Sequence, residues 1–324
     1  MPASRRPALA AAFLLACTAA QATAAAPAQA DAGLIAAAED RSQRDGSGAL
    51  LRLQILLDRA RYSPGEIDAV AGSNQQRALR GFQAAHDLPA TGEVDDATWR
   101  ALERDERPVL VDYTLTAGDV AGPFAALPDD MMDKAAQEAL GFESLAEALG
   151  ERFHASPDLL RRLNPGLDQA GAGSVLKVPG IDTAPPPKAA RVVVDRSESV
   201  LRLLDAAGRT LAQYPASTGS ERDPLPIGEW AIATVVRAPT FHYNPDLFWD
   251  ADPNHSKARL APGPNNPVGT VWIDLSKPHY GIHGTPEPRS IGKQQSHGCI
   301  RLTNWDAGAV AAAVDRSVPV TLQE

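Results

Sequence analysis

Cysteine is scarce in this chain: 324 residues hold two, Cys17 and Cys299. Two cysteines cannot staple a small, loop-rich scaffold, so a disulfide framework is excluded. Long apolar runs are missing too. Beyond the N-terminal region no segment reaches about 18 consecutive apolar residues, the length that would suggest a bilayer-spanning helix. Nor is there an excess of base, since 31 Lys and Arg stand against 40 Asp and Glu for a net charge of −9. That balance argues against nucleic acid as the main partner. What is present is apolar material, 44% of residues, enough to bury a core and to exclude a wholly disordered chain. The length suits two or three domains.

Residues 1–30 read as a signal peptide. Arg5 and Arg6 precede an apolar run from Ala8 to Ala16, small residues follow, and Ala28-Gln29-Ala30 offers a cleavage site. Leu14-Leu15-Ala16-Cys17 resembles a bacterial lipobox, so a lipid anchor on Cys17 is the alternative to its loss with the signal. Cleavage removes two arginines and no acids, which takes the net charge from −9 to −11. It also leaves Cys299 as the one thiol of an exported protein, and a thiol without a partner in an oxidising compartment is a candidate reactive group. The expected location is the periplasm, at the outer membrane if Cys17 carries lipid.

Residues 31–47 are polar and read as a linker, and 48–104 as a small bundle of three short helices. Leu50, Leu53 and Leu57 share one face, Ala78, Phe82 and Ala85 repeat the spacing after an Asn74 start signal, and a third helix with Trp99 and Leu102 opens at Asp95. Leu53-Gln54, Ile67-Asp68, Phe82-Gln83, Leu88, Thr91-Gly92, Val94 and Thr98-Trp99 resemble the peptidoglycan-binding domain of cell-wall hydrolases, which usually has Asp-Gly where this chain has Asp68-Ala69. Residues 108–181 form the next unit. A strand at Tyr113–Thr116 is followed by a helix with a Ser144/Glu147 capping box, then a second helix from Ser156-Pro157 to Asn164-Pro165-Gly166, and a closing strand at Val175–Pro179. This βααβ order resembles a LysM module, a binder of glycan strands, with Val120–Ser144 as an insertion.

A Pro-rich linker occupies 182–189, and the pattern then turns to β. Val192–Val194, Val200–Leu204, Thr210–Gln213, Trp230–Val236, Val271–Leu275, Tyr280–His283 and Val318–Leu322 read as strands, with Ala206-Ala207-Gly208 as a hairpin turn. One helix follows, Asn304 to Val314, with Asn304 as its cap. Residues 190–324 are therefore a predominantly β domain.

Reactive side chains concentrate between His279 and Arg301. A cysteine nucleophile needs a thiolate, which a nearby imidazole generates by taking the proton. His283 sits at a strand end, and His297 shares a side with Cys299 if that segment is extended. Gly298 lets backbone approach a substrate, and its N–H could receive an oxyanion. Three readings compete: a thiol acyltransferase or peptidase, a zinc site from His279, His283, His297 and Cys299, and a β core that happens to hold these residues. Lys277, Arg289, Lys293 and Arg301 against the single acid Glu287 make the stretch basic, as a cleft for a carboxylate-bearing substrate would be.

His283-Gly284 and Ser296-His297-Gly298-Cys299-Ile300-Arg301 together resemble the signature of the L,D-transpeptidase family, the YkuD domain. Ser217-Thr218-Gly219, Pro226-x-Gly228 and Gly263-Pro264-x-Asn266-Pro267-x-Gly269 fit the same family. The resemblance implies a YkuD-type β-sandwich and a cysteine transpeptidase without cofactor or metal. Cys299 would attack the L-centre carbonyl of the third stem-peptide residue, normally diaminopimelate, and release D-alanine. His283 would be the proton donor and acceptor, the Gly284 carbonyl its orienter, and Gly298 N–H the oxyanion donor. Ser296, His297 and Arg301 would bind substrate. Peptidoglycan stem peptides and glycan strands are the implied partners. The acceptor stays open between a second stem, a lipoprotein lysine, a free amino acid and water. Water would make the enzyme an L,D-carboxypeptidase, and an unreactive Cys299 would leave a non-catalytic wall-binding protein.

Overall fold

A computed structural model describes Met1 and residues 31–324. The expected signal peptide, its cleavage site and Cys17 fall outside the described residues.

The N-terminal unit has four helices where the spacing predicts three. α1 (Ala32–Glu39) lies in the stretch read as a linker, with Leu34 and Ala38 buried. α2 (Gly46–Arg59) follows, and the backbone of Gly48 runs against Ala37, an approach that a Cβ would block. α2 buries Leu51, Ile55 and Leu56 as well as Leu53 and Leu57, so it is the centre of the unit rather than an amphipathic wall. α3 (Ser73–Ala85) starts after Gly72, and α4 (Asp96–Leu102) is capped by Asp95, whose carboxylate accepts the Thr98 N–H at 2.7 Å.

The polar residues of the wall-binding pattern hold this fold together. Buried Gln54 accepts the Asp68 and Ala69 N–H groups, and buried Gln83 accepts from Gly92 and donates to the Glu93 carbonyl and the Thr98 hydroxyl. Ala69 keeps a left-handed backbone, φ 61°, where a glycine is the usual occupant.

In the middle unit, β1 (Leu110–Thr114) precedes the short helices α5 (Ala117–Val120) and α6 (Met131–Ala135). Then come α7 (Leu145–Phe153), α8 (Pro157–Leu163) and β2 (Val175–Pro179), which pairs antiparallel with β1. Asn164 closes α8 and ties it to β2, accepting the Lys177 N–H at 2.6 Å and donating to its carbonyl at 2.7 Å. Only half of the expected capping box forms: Ser144 accepts the Glu147 N–H, while the Glu147 carboxylate turns to Glu143 N–H and Asn265.

The C-terminal domain is built on one eight-stranded sheet and one α-helix. Its strands are β3 (Arg191–Asp195), β4 (Val200–Leu204), β5 (Thr210–Pro215), β6 (Gly228–Arg237), β9 (Val271–Leu275), β10 (Gly281–His283), β11 (Ile300–Arg301) and β12 (Pro319–Gln323), in the order β11-β10-β9-β6-β12-β3-β4-β5. β7 (Phe241–Tyr243) and β8 (Ala258–Leu260) form a separate hairpin. A register shift between Ile232 and Thr234 bends β6, so its two halves serve different parts of the sheet. Beyond β5, Ser217 and Arg301 exchange backbone hydrogen bonds at 3.0 and 2.9 Å. The two edges therefore meet, and the expected sandwich is a single curled sheet. α9 (Asn304–Ala313) packs with it around Ile273, Ile282, Ile300 and Val310.

The insertion has a packing role. Leu140 forms a small core with Tyr243 and Leu260 of the hairpin, joined by Leu127 and Met131, and Asp130 accepts from His255 at 2.8 Å.

Candidate active site

β10 and β11 run parallel, with Ile282 opposite Ile300 and His283 opposite Arg301. Both isoleucines are fully buried in the core. Side chains alternate along a strand, so His283 and Arg301 share the opposite face, and Cys299, one residue before Ile300, comes to the same face. The Cys299 thiol lies 3.8 Å from the His279 carbonyl and against the backbone of Gly281.

His283 is 4% exposed, and its Nδ1 is 2.7 Å from the Gly284 carbonyl oxygen. A carbonyl only accepts, so Nδ1 carries the proton and Nε2 keeps its lone pair. The Trp272 indole stacks over the ring, centroids 5.5 Å apart at 20°. Burial lowers the imidazole to about 4; the Gly284 hydrogen bond opposes this, and the Arg301 charge adds to it. Burial pushes the Cys299 thiol up, and the Gly281 backbone and Arg301 pull it back in part.

The loop that delivers Cys299 is held on several sides. Gly298 adopts φ 100°, and a Cβ there would meet the Tyr280 ring at 3.0 Å. The Ser296 hydroxyl donates to the Cys299 carbonyl, and the Ser296 N–H donates to Thr218 at 2.9 Å. Asn74 Nδ2 donates to the Ile291 carbonyl at 2.8 Å, and Ser217 Oγ accepts the Gly292 N–H at 2.9 Å.

Cys299, His283, Gly284, Gly298 and Arg301 are thus brought together. Ser296 is nearby, with its hydroxyl turned to the loop's own backbone. His297 points elsewhere, because the bend at Gly298 breaks the extended geometry that would align it with Cys299. Its Nε2 sits 3.0 Å from Asp250 Oδ1, and its ring lies between Phe248 and Trp249. Trp249 in turn contacts Arg222 and donates to Asp223 at 2.9 Å. This loop after β7 forms an outer wall that the sequence motif does not reveal. Among the described residues no group of three His, Cys, Asp or Glu converges to hold a metal ion.

The expected basic cleft is divided. Arg289 turns to the N-terminal units, 3.3 Å from Glu66 and 2.9 Å from Asp158. Lys277 lies over the Trp230 and Tyr280 rings. Of the four, Arg301 stands beside the thiol, partly buried, with Glu287 and Asp250 as its acidic neighbours. Among the described residues, no carboxylate is within ion-pair distance of it.

A family model for the L,D-transpeptidase catalytic domain (YkuD) matches residues 189–322, and one for a peptidoglycan binding domain matches residues 47–102. A Bacillus licheniformis protein named as an L,D-transpeptidase, YkuD, is 33% identical over 181 residues, 54% of this chain and 92% of the relative. Its Bacillus subtilis namesake is 33% identical over 173 residues, 52% of this chain and 88% of the relative. A looser likeness, to the solved L,D-transpeptidase 3 of Mycobacterium tuberculosis, has 19% identity and a TM-score of 0.35, over 47% of this chain and 76% of that one. The two Bacillus relatives are matched over most of their length at this identity, and the chain belongs to the L,D-transpeptidase (YkuD) family.

Proposed function

We propose that this protein is a peptidoglycan L,D-transpeptidase in which Cys299 is the nucleophile and His283 its proton acceptor and donor. One observation carries the residue assignment: Nδ1 of His283 is committed to the Gly284 carbonyl, which leaves Nε2 as a base on the face of the sheet that bears the thiol. Cys299 Sγ attacks the carbonyl of the L-centre at the third stem residue, diaminopimelate, as its proton passes to Nε2. The tetrahedral oxyanion is received by the Gly298 N–H. Collapse breaks the bond to D-alanine, whose amine takes the proton from His283. An acceptor amine then attacks the thioester, His283 removes its proton, and the thiol is restored. Arg301, with its charge uncompensated at ion-pair distance, suits a donor carboxylate.

The surrounding units fit an enzyme that works on the wall. Residues 48–104 serve as the peptidoglycan-binding domain and 190–324 as the catalytic domain. Residues 108–181 serve as a LysM-like module for glycan strands, a reading supported by the βααβ order and the Asn164 bridge. Residues 1–30 direct export to the periplasm.

The test is mass spectrometry of tetrapeptide muropeptides with and without an added amine. Wild type should show an acyl adduct on intact protein and a product one D-alanine lighter joined to the amine. Cys299→Ser should show neither. Turnover by Cys299→Ser would refute the assignment, and tripeptide alone in the presence of amine would indicate a carboxypeptidase.

A further inference from the structure

Asn304 reads in sequence as the cap of α9, but Thr303 takes that role, its hydroxyl accepting the Asp306 N–H at 3.1 Å. Asn304 is freed for another use. It is 3% exposed, its Oδ1 accepts the Thr270 N–H at 3.0 Å, and its Nδ2 donates to the Pro264 carbonyl at 3.1 Å. Its amide lies directly on two backbone segments: a Cβ on Gly269 or Gly284 would fall 2.0 or 2.1 Å from Oδ1. Gly284 is the residue whose carbonyl holds His283 Nδ1.

The remaining partner of Asn304 comes from another unit. Its Nδ2 donates at 2.7 Å to Glu151 Oε1, on α7 of the middle module. Glu147 and His154 face this carboxyl from α7 and its end, and Asp306 faces it from α9. The amide has no freedom to rotate while Glu151 accepts from it, because its oxygen must then point toward Thr270 and Gly284.

We propose that Glu151 is a positioning residue for the transpeptidase reaction: from the middle module it orients Asn304, which fixes the Gly284 turn that holds His283 in its reactive tautomer. The middle module thereby completes the active site. This rests on the assignment of Cys299 and His283 above.

Full-length Glu151→Ala, Glu151→Asp and Glu151→Gln are compared with wild type, with Asp112→Ala as a control at the exposed Lys177 ion pair of the same module. Three quantities are read: the acylation rate constant, the fraction of protein acylated at completion, and the pH profile of Cys299 alkylation. Alanine removes the acceptor and aspartate is one methylene too short, so both should acylate to completion at least about tenfold more slowly, the scale expected when a reacting group is misplaced. Both should also shift the alkylation profile. Glutamine offers the same acceptor oxygen and should restore most of the rate. Glu151→Asp provides the reading if Glu151→Ala fails to fold. A wild-type rate in Glu151→Asp would overturn the proposal. So would a loss confined to the acylated fraction, or an equal loss in Asp112→Ala, since each reports damage to folding alone. Wild type without any acyl adduct would instead refute the underlying assignment.

Discussion

His283 is buried beneath Trp272, with the Arg301 charge close by, and an imidazole so placed disfavours its cation. The thiol beside it is held above its ordinary range by the same burial. At neutral pH both groups are therefore uncharged, and in the proposed reaction the proton moves as the sulfur attacks rather than beforehand. With His283 as the proposed base, protonating it should abolish activity as pH falls through the imidazole's folded value. The acid limb of the acylation rate should have its midpoint near 4, not near the ordinary histidine value of about 6.5. Ultraviolet difference spectra should show no thiolate absorbance at neutral pH; a thiolate band there would mean a standing ion pair. His283→Ala should lower the acylation rate by about 10²–10⁴-fold.

The segment between His283 and Cys299 is pinned from the N-terminal bundle. Asn74→Ala leaves the Ile291 carbonyl without its donor and should cost about 1–3 kcal/mol. Hydrogen exchange over residues 285–296 should quicken while that of the β6–β12 pair is unchanged; equal acceleration in both would mean general loosening. The contrast between Asn74 and Asn304 shows what the sequence could disclose. Asn74 reads as a helix start signal and Asn304 as a cap, yet each side chain has a distant partner, Ile291 or Glu151. Long alternating strands such as β4 and β9 are legible because one face is continuously buried. β7, β8 and β11 are too short for any period to register. The closure of the sheet depends on Ser217 meeting Arg301, a pairing that local pattern does not encode. The site divides in the same way. The proposed site residues His283, Gly284, Gly298, Cys299 and Arg301 lie in two short motifs, which is why the sequence points to them. Glu151, Asn74 and Asp250 join only through the packing of separate segments.

Across the whole molecule, burial raises three interface carboxyls, Glu66, Glu151 and Asp306, to about 7. A carboxyl raised in the folded state favours folding at low pH, and that contribution is lost as pH climbs through the folded value. His283 acts in the opposite sense, but only below its ordinary imidazole range. Between about pH 6.5 and 8 the three carboxyls should each withdraw about 1 kcal/mol of stability. Thermal melts should show Tm falling over that interval, and Glu66→Gln should flatten part of the fall; a Tm that rises with pH would contradict this. The junction where these groups lie also limits dissection of the enzyme. Trp305 stacks on His154 at 5.2 Å, Ser63 donates to Asp306, and Gln213 bonds the backbone of Arg61, Ser63 and Arg77. A catalytic fragment cut at the Pro-rich segment would bare this surface, an indole and a buried acid among it, to water. Such a fragment should be prone to self-association, and grafting the same fragment behind foreign wall-binding modules should fail unless they reproduce that seat.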